Sequence, residues 1–144
     1  MTGLWAIVDG NLSVYNSNTR SMARFGLLAL NKGKWENNQI VPESYMQNAT
    51  TTSQNINLSY GYLWWLNGKS SYHLPQTQFQ FSGSIISTAP SDMYCALGKD
   101  DQKIYVIPSR KIVIIRMGDA ADGSNMALSD FDEVLWEKIS AVIN

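Results

Sequence analysis

The stretch Ala96–Gly118, ALGKDDQKIYVIPSRKIVIIRMG, decides how this chain folds. Apolar residues run up to a glycine and a short charged turn, GKDDQ. A second apolar run follows, then the proline-centred link PSR, then KIVIIRM, which carries β-branched residues at successive positions. This is the pattern of antiparallel strands joined by tight turns, predicted over 93–98, 102–107 and 111–117. Branched side chains on both faces place the last strand inside the sheet rather than at its rim. The turn is either a plain hairpin link or one wall of a site.

Working outward, the C-terminal side reads as a loop over GDAADGSN and then an amphipathic helix. Asp130 lies near its start, and Phe131, Val134, Leu135, Ile139, Val142 and Ile143 form one stripe that needs a sheet face to cover. On the N-terminal side, residues 70–91 are irregular, rich in Ser, Gln and Gly, with one short strand expected near SGSII. Loops this long in compact domains are often functional. YGYLWWL reads as a strand bounded by the turn signal NGK, which puts Trp64 and Trp65 on opposite faces. One of them is a candidate pocket wall, and the other packs in the core. Tyr60 and Tyr105 read as ordinary strand tyrosines.

Further back the period becomes helical. Asn18, Thr19 or Ser21 can cap SMARFGLLALNKG, with Met22, Phe25 and Ala29 on one face, Leu28 beside them and Gly33 as the stop. KWENNQ is a polar loop. VPESYMQNAT is a short second helix with Pro42 at its first position. TTSQNINLS is a polar connector, and the first 18 residues are a short extended piece followed by turns. The fold class is therefore α+β: two helices, then an antiparallel sheet covered by a C-terminal helix. Residues 1–58 form a helical segment, and 59–144 carry the strands and the last helix.

Composition narrows the function. With 11 basic and 12 acidic residues the net charge is −1, which argues against a nucleic-acid partner. No segment approaches the roughly 18 apolar residues of a membrane span. Cys95 is the only cysteine and His73 the only histidine, which argues against a protein zinc site, and no other cofactor is implied. Cys95 lies in the apolar run MYCAL and reads as a buried, inert thiol. N-x-S/T triplets occur at Asn11, Asn48 and Asn57, and matter only in a glycosylating compartment. MTGLWAIVDG lacks a signal-peptide pattern and reads as if it continued something longer.

MARFGLLALNKGKW, VPESYM, YGYLWWL and ALGKDDQKIYVIPSRKIVIIRMGD occur in that order. Together they resemble the C-terminal half of the penicillin-recognising serine hydrolases: class C β-lactamases, DD-peptidases and related esterases. The branch that includes the 6-aminohexanoate-oligomer hydrolases is the most similar. The resemblance implies part of a β-lactamase/transpeptidase-like fold, and acyl transfer through a serine on an ester, amide or β-lactam. It also implies a periplasmic or secreted setting. Of the family's three motifs, S-x-x-K and Y-x-N are absent here. Ser53-Gln54-Asn55 matches S-x-N but falls after the MARFG helix, out of family order.

The third motif, K-T-G or a looser relative, has two alignments. Ala96-Leu97-Gly98 replaces it, with the Lys99 amide as oxyanion donor; or Lys99-Asp100-Asp101 replaces it, with the Lys99 side chain as the motif lysine. The first keeps the glycine and is preferred. It makes Ala96, Leu97, Gly98 and Trp64 substrate-binding candidates beside the catalytic Lys99 amide. One such donor is typically worth ~3 kcal/mol in the transition state. Asp101 stands where relatives have glycine. A carboxylate there is unfavourable near a developing oxyanion, unless the side chain points away, with one of Asp100 and Asp101 in solvent. Adjacency makes the two a poor acid/base pair. Lacking a nucleophile, the chain is expected to be inactive alone and to self-associate. A non-catalytic binding domain derived from the same fold is the alternative.

Overall fold

The computed structural model describes residues 2–8, 10, 12–121 and 128–143. The Asn11 triplet and much of the 118–125 loop lie outside the described residues. The central sheet has four antiparallel strands in the order β10 (Ile112–Arg116), β9 (Lys103–Ile107), β8 (Tyr94–Leu97), β5 (Trp65–Leu66). Three small hairpins surround it: β1 (Gly3–Val8) with β2 (Leu12–Ser17), β3 (Lys34–Trp35) with β4 (Asn38–Gln39), and β6 (Ser71–His73) with β7 (Gln80–Ser82). The helices are α1 (Thr19–Leu30), α2 (Glu43–Ala49) and α3 (Asp130–Ile143). The 1–58 segment thus carries two hairpins besides its helices. No helix among the described residues is long and apolar enough to cross a membrane.

Period-two alternation divides the core into two layers. Trp64, Leu66, Tyr94, Ile104 and Val106 face α1 and α2, where they meet Ala29, Met46 and Ala49. Trp65, Cys95, Tyr105 and Ile107 face the other way, toward Trp136 of α3 and the loop residues Ile85, Ile86 and Met93. One strand therefore feeds two cores, as the pleat requires.

α1 starts where its cap is satisfied: the Asn18 side chain accepts the Ser21 N–H at 2.9 Å. It ends at Leu30; Lys32 turns left-handed at φ 53°, which returns the Gly33 N–H to the Leu28 carbonyl at 2.8 Å. Gly26 sets how closely α1 approaches the sheet. A Cβ there would lie 2.4 Å from Val113 Cγ1 and 3.2 Å from Ile104 Cγ2.

The loop before β8 is organised by one buried side chain. Asn67 Nδ2 donates to the carbonyls of Ile86 at 3.0 Å, Ala89 at 3.2 Å and Pro90 at 3.0 Å, and its Oδ1 accepts the Ile86 N–H at 3.1 Å. Glu133 of α3 then takes both the N–H and hydroxyl of Ser87 and of Thr88. Burial pushes the Glu133 carboxyl up, but these four donors outweigh it and hold it below its ordinary value.

Several expectations need correction. The KIVIIRM strand, β10, is an edge among the described residues, and its residues are only half-buried. β9 is the strand buried throughout. YGYLWWL yields only Trp65–Leu66 as strand, because Leu63 takes a positive φ of 63° and breaks the extended run. The strand expected near SGSII is β7, which ends at the first residue of that segment, Ser82, and pairs with a second strand, β6, earlier in the 70–91 stretch. KWENNQ contains the β3–β4 hairpin, and the first residues form the β1–β2 hairpin rather than one strand and turns. Pro42 caps α2 one residue before its first helical position. On α3, Val134 and Val142 are exposed, while Asp132 and Trp136 are fully buried.

Candidate functional site

The C-terminal end of β8, the turn after it and β2 enclose a cavity of about 460 Å³. Ala96, Leu97, Gly98 and Lys99 all line it, beside Asp100, Gln102, Ile104 and Met117. Val14, Tyr15, Asn16 and Ser17 of β2 form the facing side, with Met22 of α1. The lining is mostly apolar with a few polar groups, the usual make-up of a small-molecule site. Residues of both alignments of the third motif line it, Ala96–Gly98 of the first and Lys99 and Asp100 of the second. Trp64 is not part of it. That side chain is buried in the α1-facing core, stacked near Phe25 and edge-on to Tyr94, because strand direction sends Trp64 and Trp65 into the two cores and neither into the cavity.

The turn closes through two backbone hydrogen bonds, Gly98 N–H to the Gln102 carbonyl at 2.8 Å and Gln102 N–H to the Lys99 carbonyl at 3.3 Å. The Lys99 N–H donates to no group among the described residues. Gly98 itself is extended, with φ −114° and ψ 169°. Asp100 and Asp101 follow with φ of 56° and 57°, the left-handed region that aspartate tolerates better than most residues.

GKDDQ is not a solvated hairpin tip. Asp100 is half-buried and lines the cavity, while Asp101 is 1% exposed. Its carboxylate meets Lys103 Nζ at 2.9 Å, accepts the Ala121 N–H at 2.8 Å and lies 3.4 Å from Ser129 Oγ. Lys103 Nζ also meets Asp132 Oδ2 at 2.8 Å. Asp132 in turn accepts the Tyr105 hydroxyl at 2.5 Å and the Ser129 N–H at 3.1 Å. All three charged side chains are essentially inaccessible to solvent. Arg116 closes the other side, donating to the carbonyls of Asp100 at 3.0 Å and Asp101 at 3.2 Å while stacking on Phe131.

These contacts set the titration behaviour. Burial pushes the Asp101 carboxyl up, but the Ala121 N–H, Lys103 and the Arg116 charge together hold it below its ordinary value. Burial, then the Asp132 charge and its hydrogen bond, drive the Tyr105 phenol far above the usual range. The carboxylate that threatened a developing oxyanion is therefore turned into the core and paired.

Sequence reading missed this ion cluster. One signal was present: Ser129-x-x-Asp132 is the capping-box spacing, and Asp132 does reach back to the Ser129 N–H.

Ser17, the one serine in the cavity lining, donates its hydroxyl to the Thr2 carbonyl at 2.6 Å. Ser53 is likewise engaged in its own loop, donating to the Tyr60 carbonyl at 3.1 Å. The site holds a backbone N–H and a pocket, and the hydroxyl of the serine lining it is committed to a backbone carbonyl.

No protein-family model matches the chain, and no curated protein does. Among solved structures it is similar to the "Putative 6-aminohexanoate-dimer hydrolase from Bacillus anthracis", at 23% identity with a TM-score of 0.56. The match covers 90% of this chain and 31% of that one. The chain thus has part of a β-lactamase-like fold, and it spans under a third of the length of the structure it matches.

Proposed function

We propose that this chain is the C-terminal part of a β-lactamase-like serine hydrolase, which in its intact form acylates a serine with an ester, amide or β-lactam and hydrolyses the acyl-enzyme. Its contribution is the oxyanion-side strand and a pocket wall. The Lys99 N–H is the donor to the developing oxyanion, and Ala96, Leu97 and Gly98 border the substrate. The single observation that carries the reading is the cavity at the end of β8 with an unengaged amide beside it. Ala96–Lys99 line it because β8 ends there, and a glycine at 98 leaves room for close approach.

The nucleophile and its lysine would come from a segment carrying S-x-x-K, so the chain alone is inert. Purified chain should remain unlabelled by a fluorophosphonate or a fluorescent penicillin. Supplied with an S-x-x-K segment, it should turn over a chromogenic ester, and Lys99→Pro should lower that rate by about 10²–10³. Proline fits at 99 because the extended Gly98 is what a following proline requires, so the variant deletes the N–H with little else. Turnover by the chain alone, in proportion to its concentration through repurification, would refute the reading.

Self-association follows from the same reading. Among the described residues β10 offers an unpaired edge with branched residues on both faces, and Leu4, Trp5 and Ile7 of β1 are exposed. Sedimentation of a monomer at high concentration would contradict it. A periplasmic or secreted setting belongs to the same proposal. The second reading, a non-catalytic binding domain, is favoured by the missing nucleophile. It predicts no rate enhancement with any S-x-x-K segment.

A further inference from the structure

A backbone donor stabilises an oxyanion only if its direction is fixed before the substrate arrives. The Gly98–Gln102 turn has little intrinsic reason to hold still. Its apex places two non-glycine residues at positive φ, a cost of roughly 1–2 kcal/mol each. It caps the β8–β9 ladder, whose last pair is Leu97 with Lys103, but between those two residues only its two closing bonds hold the backbone. What surrounds it is charge. Asp101 points inward to Lys103, and Lys103 is shared with Asp132 in the first turn of α3. Arg116 and Gln102 hold the Asp100 carbonyl from the other side, at 3.0 and 2.8 Å.

We propose that Asp101 is a positioning residue, and that the Asp101–Lys103–Asp132 cluster is a latch through which the docking of α3 sets the turn that carries the Lys99 N–H. The proposal rests on the reading of Lys99 as the oxyanion donor. It explains why an aspartate occupies a left-handed position that glycine would take without strain. Glycine would satisfy the backbone but could not reach Lys103. It also explains why the cluster spans three elements: removal of α3 takes Asp132 with it, and Lys103 then has less to hold the turn against.

The latch predicts long-range coupling that packing alone does not. Asp132 contacts Lys103, Tyr105 and Ser129 and makes no hydrogen bond or ion pair to residues 98–102. Neutralising either carboxylate leaves Lys103 its ion pair with the other, so each single variant is expected to retain the fold. In ¹⁵N-labelled protein, Asp101→Asn and Asp132→Asn should each speed exchange of the Gly98 amide by about tenfold or more and shift the Lys99 amide resonance. The Asn67 amide, bonded to the Met93 carbonyl at 2.9 Å, should keep its wild-type rate. If Gly98 and Lys99 are unchanged in Asp132→Asn, the latch is wrong. If Gly98 and Asn67 accelerate together, the cluster is only a stability element and the proposal also fails.

Wild-type protein gives a second measurement should either variant fail to fold. In low denaturant the Gly98 amide and the Asp132 amide should exchange through one shared opening; Gly98 opening alone would overturn the latch. None of these readouts requires catalysis. Their failure leaves the hydrolase reading intact, and failure of turnover leaves the latch intact.

Discussion

Replacing Lys103 with methionine removes the one cation that two buried carboxylates share. The substitution keeps an unbranched side chain of similar reach, so the effect is electrostatic rather than a cavity. Lys103 Nζ lies 2.9 Å from Asp101 and 2.8 Å from Asp132, and neither carboxylate has solvent to fall back on. Breaking a buried pair from one side costs about 3–5 kcal/mol, because the remaining charge stays desolvated. Here two charges are stranded, but Arg116 stands near Asp101 and the Tyr105 hydroxyl still reaches Asp132. About 4 kcal/mol is therefore expected. For a chain of this size 1 kcal/mol moves Tm by roughly 3 °C, so Tm should fall by roughly 12 °C. Urea unfolding at neutral pH, with unchanged m-value, measures the loss directly. Acid should narrow the gap between variant and wild type, since a proton on one stranded carboxylate lets it hydrogen-bond the other. A loss under about 1 kcal/mol, or a gap that widens in acid, refutes the argument.

Gly26→Val should cost about 1–3 kcal/mol by driving α1 off Val113, whereas Gly26→Ala should cost less because alanine regains up to about 1 kcal/mol of helix propensity; urea midpoints compare the two. Asn67→Ala should destabilise by about 3 kcal/mol and release the Ile86 amide to rapid exchange, since the Ile86 N–H and three loop carbonyls lose their partner together. Asp101 and Glu133 both have depressed carboxyls in the folded state. Their stabilisation is therefore complete above the unfolded carboxyl value of about 4 and is lost as pH falls through the folded ones. Glu133→Gln should flatten that acid limb in a pH series of melting curves, and an unchanged limb would contradict the assignment.

What the sequence made legible was local. α1 announces itself by its spacing, its Asn18 cap and its Gly33 stop, all of which lie within a few turns of one another. β9 and β10 follow from branched residues between turn signals, and β8 from the apolar run MYCAL. Gly98 in ALG marked where β8 ends and the turn begins. What escaped depended on partners distant in the chain. β10 reads as a buried strand from its own composition, yet whether it is flanked on both sides is a property of the whole sheet. Trp64 and Trp65 were correctly placed on opposite faces, but both faces are core. Asp101 and Lys103 are two residues apart, but the residue that completes their cluster is Asp132, 29 positions beyond Lys103. No periodicity links them. The exposure of Val134 and the burial of Trp136 likewise depend on how α3 is rotated onto the sheet, which Asp132 and Glu133 help fix from its first turn.

Cys95 gives the molecule a built-in stopwatch. It sits on β8 with no accessible surface, between Trp65 and Tyr105 in the sheet register and under α3. Burial first, and then the neighbouring Asp132 charge, keep its sulfur protonated and chemically silent. A disulfide reagent can strike only when the α3 and Ile85–Ile86 cover over it opens, so the pace of sulfhydryl modification clocks that opening with no label introduced. With no second cysteine in the chain, every colour change counts the same event.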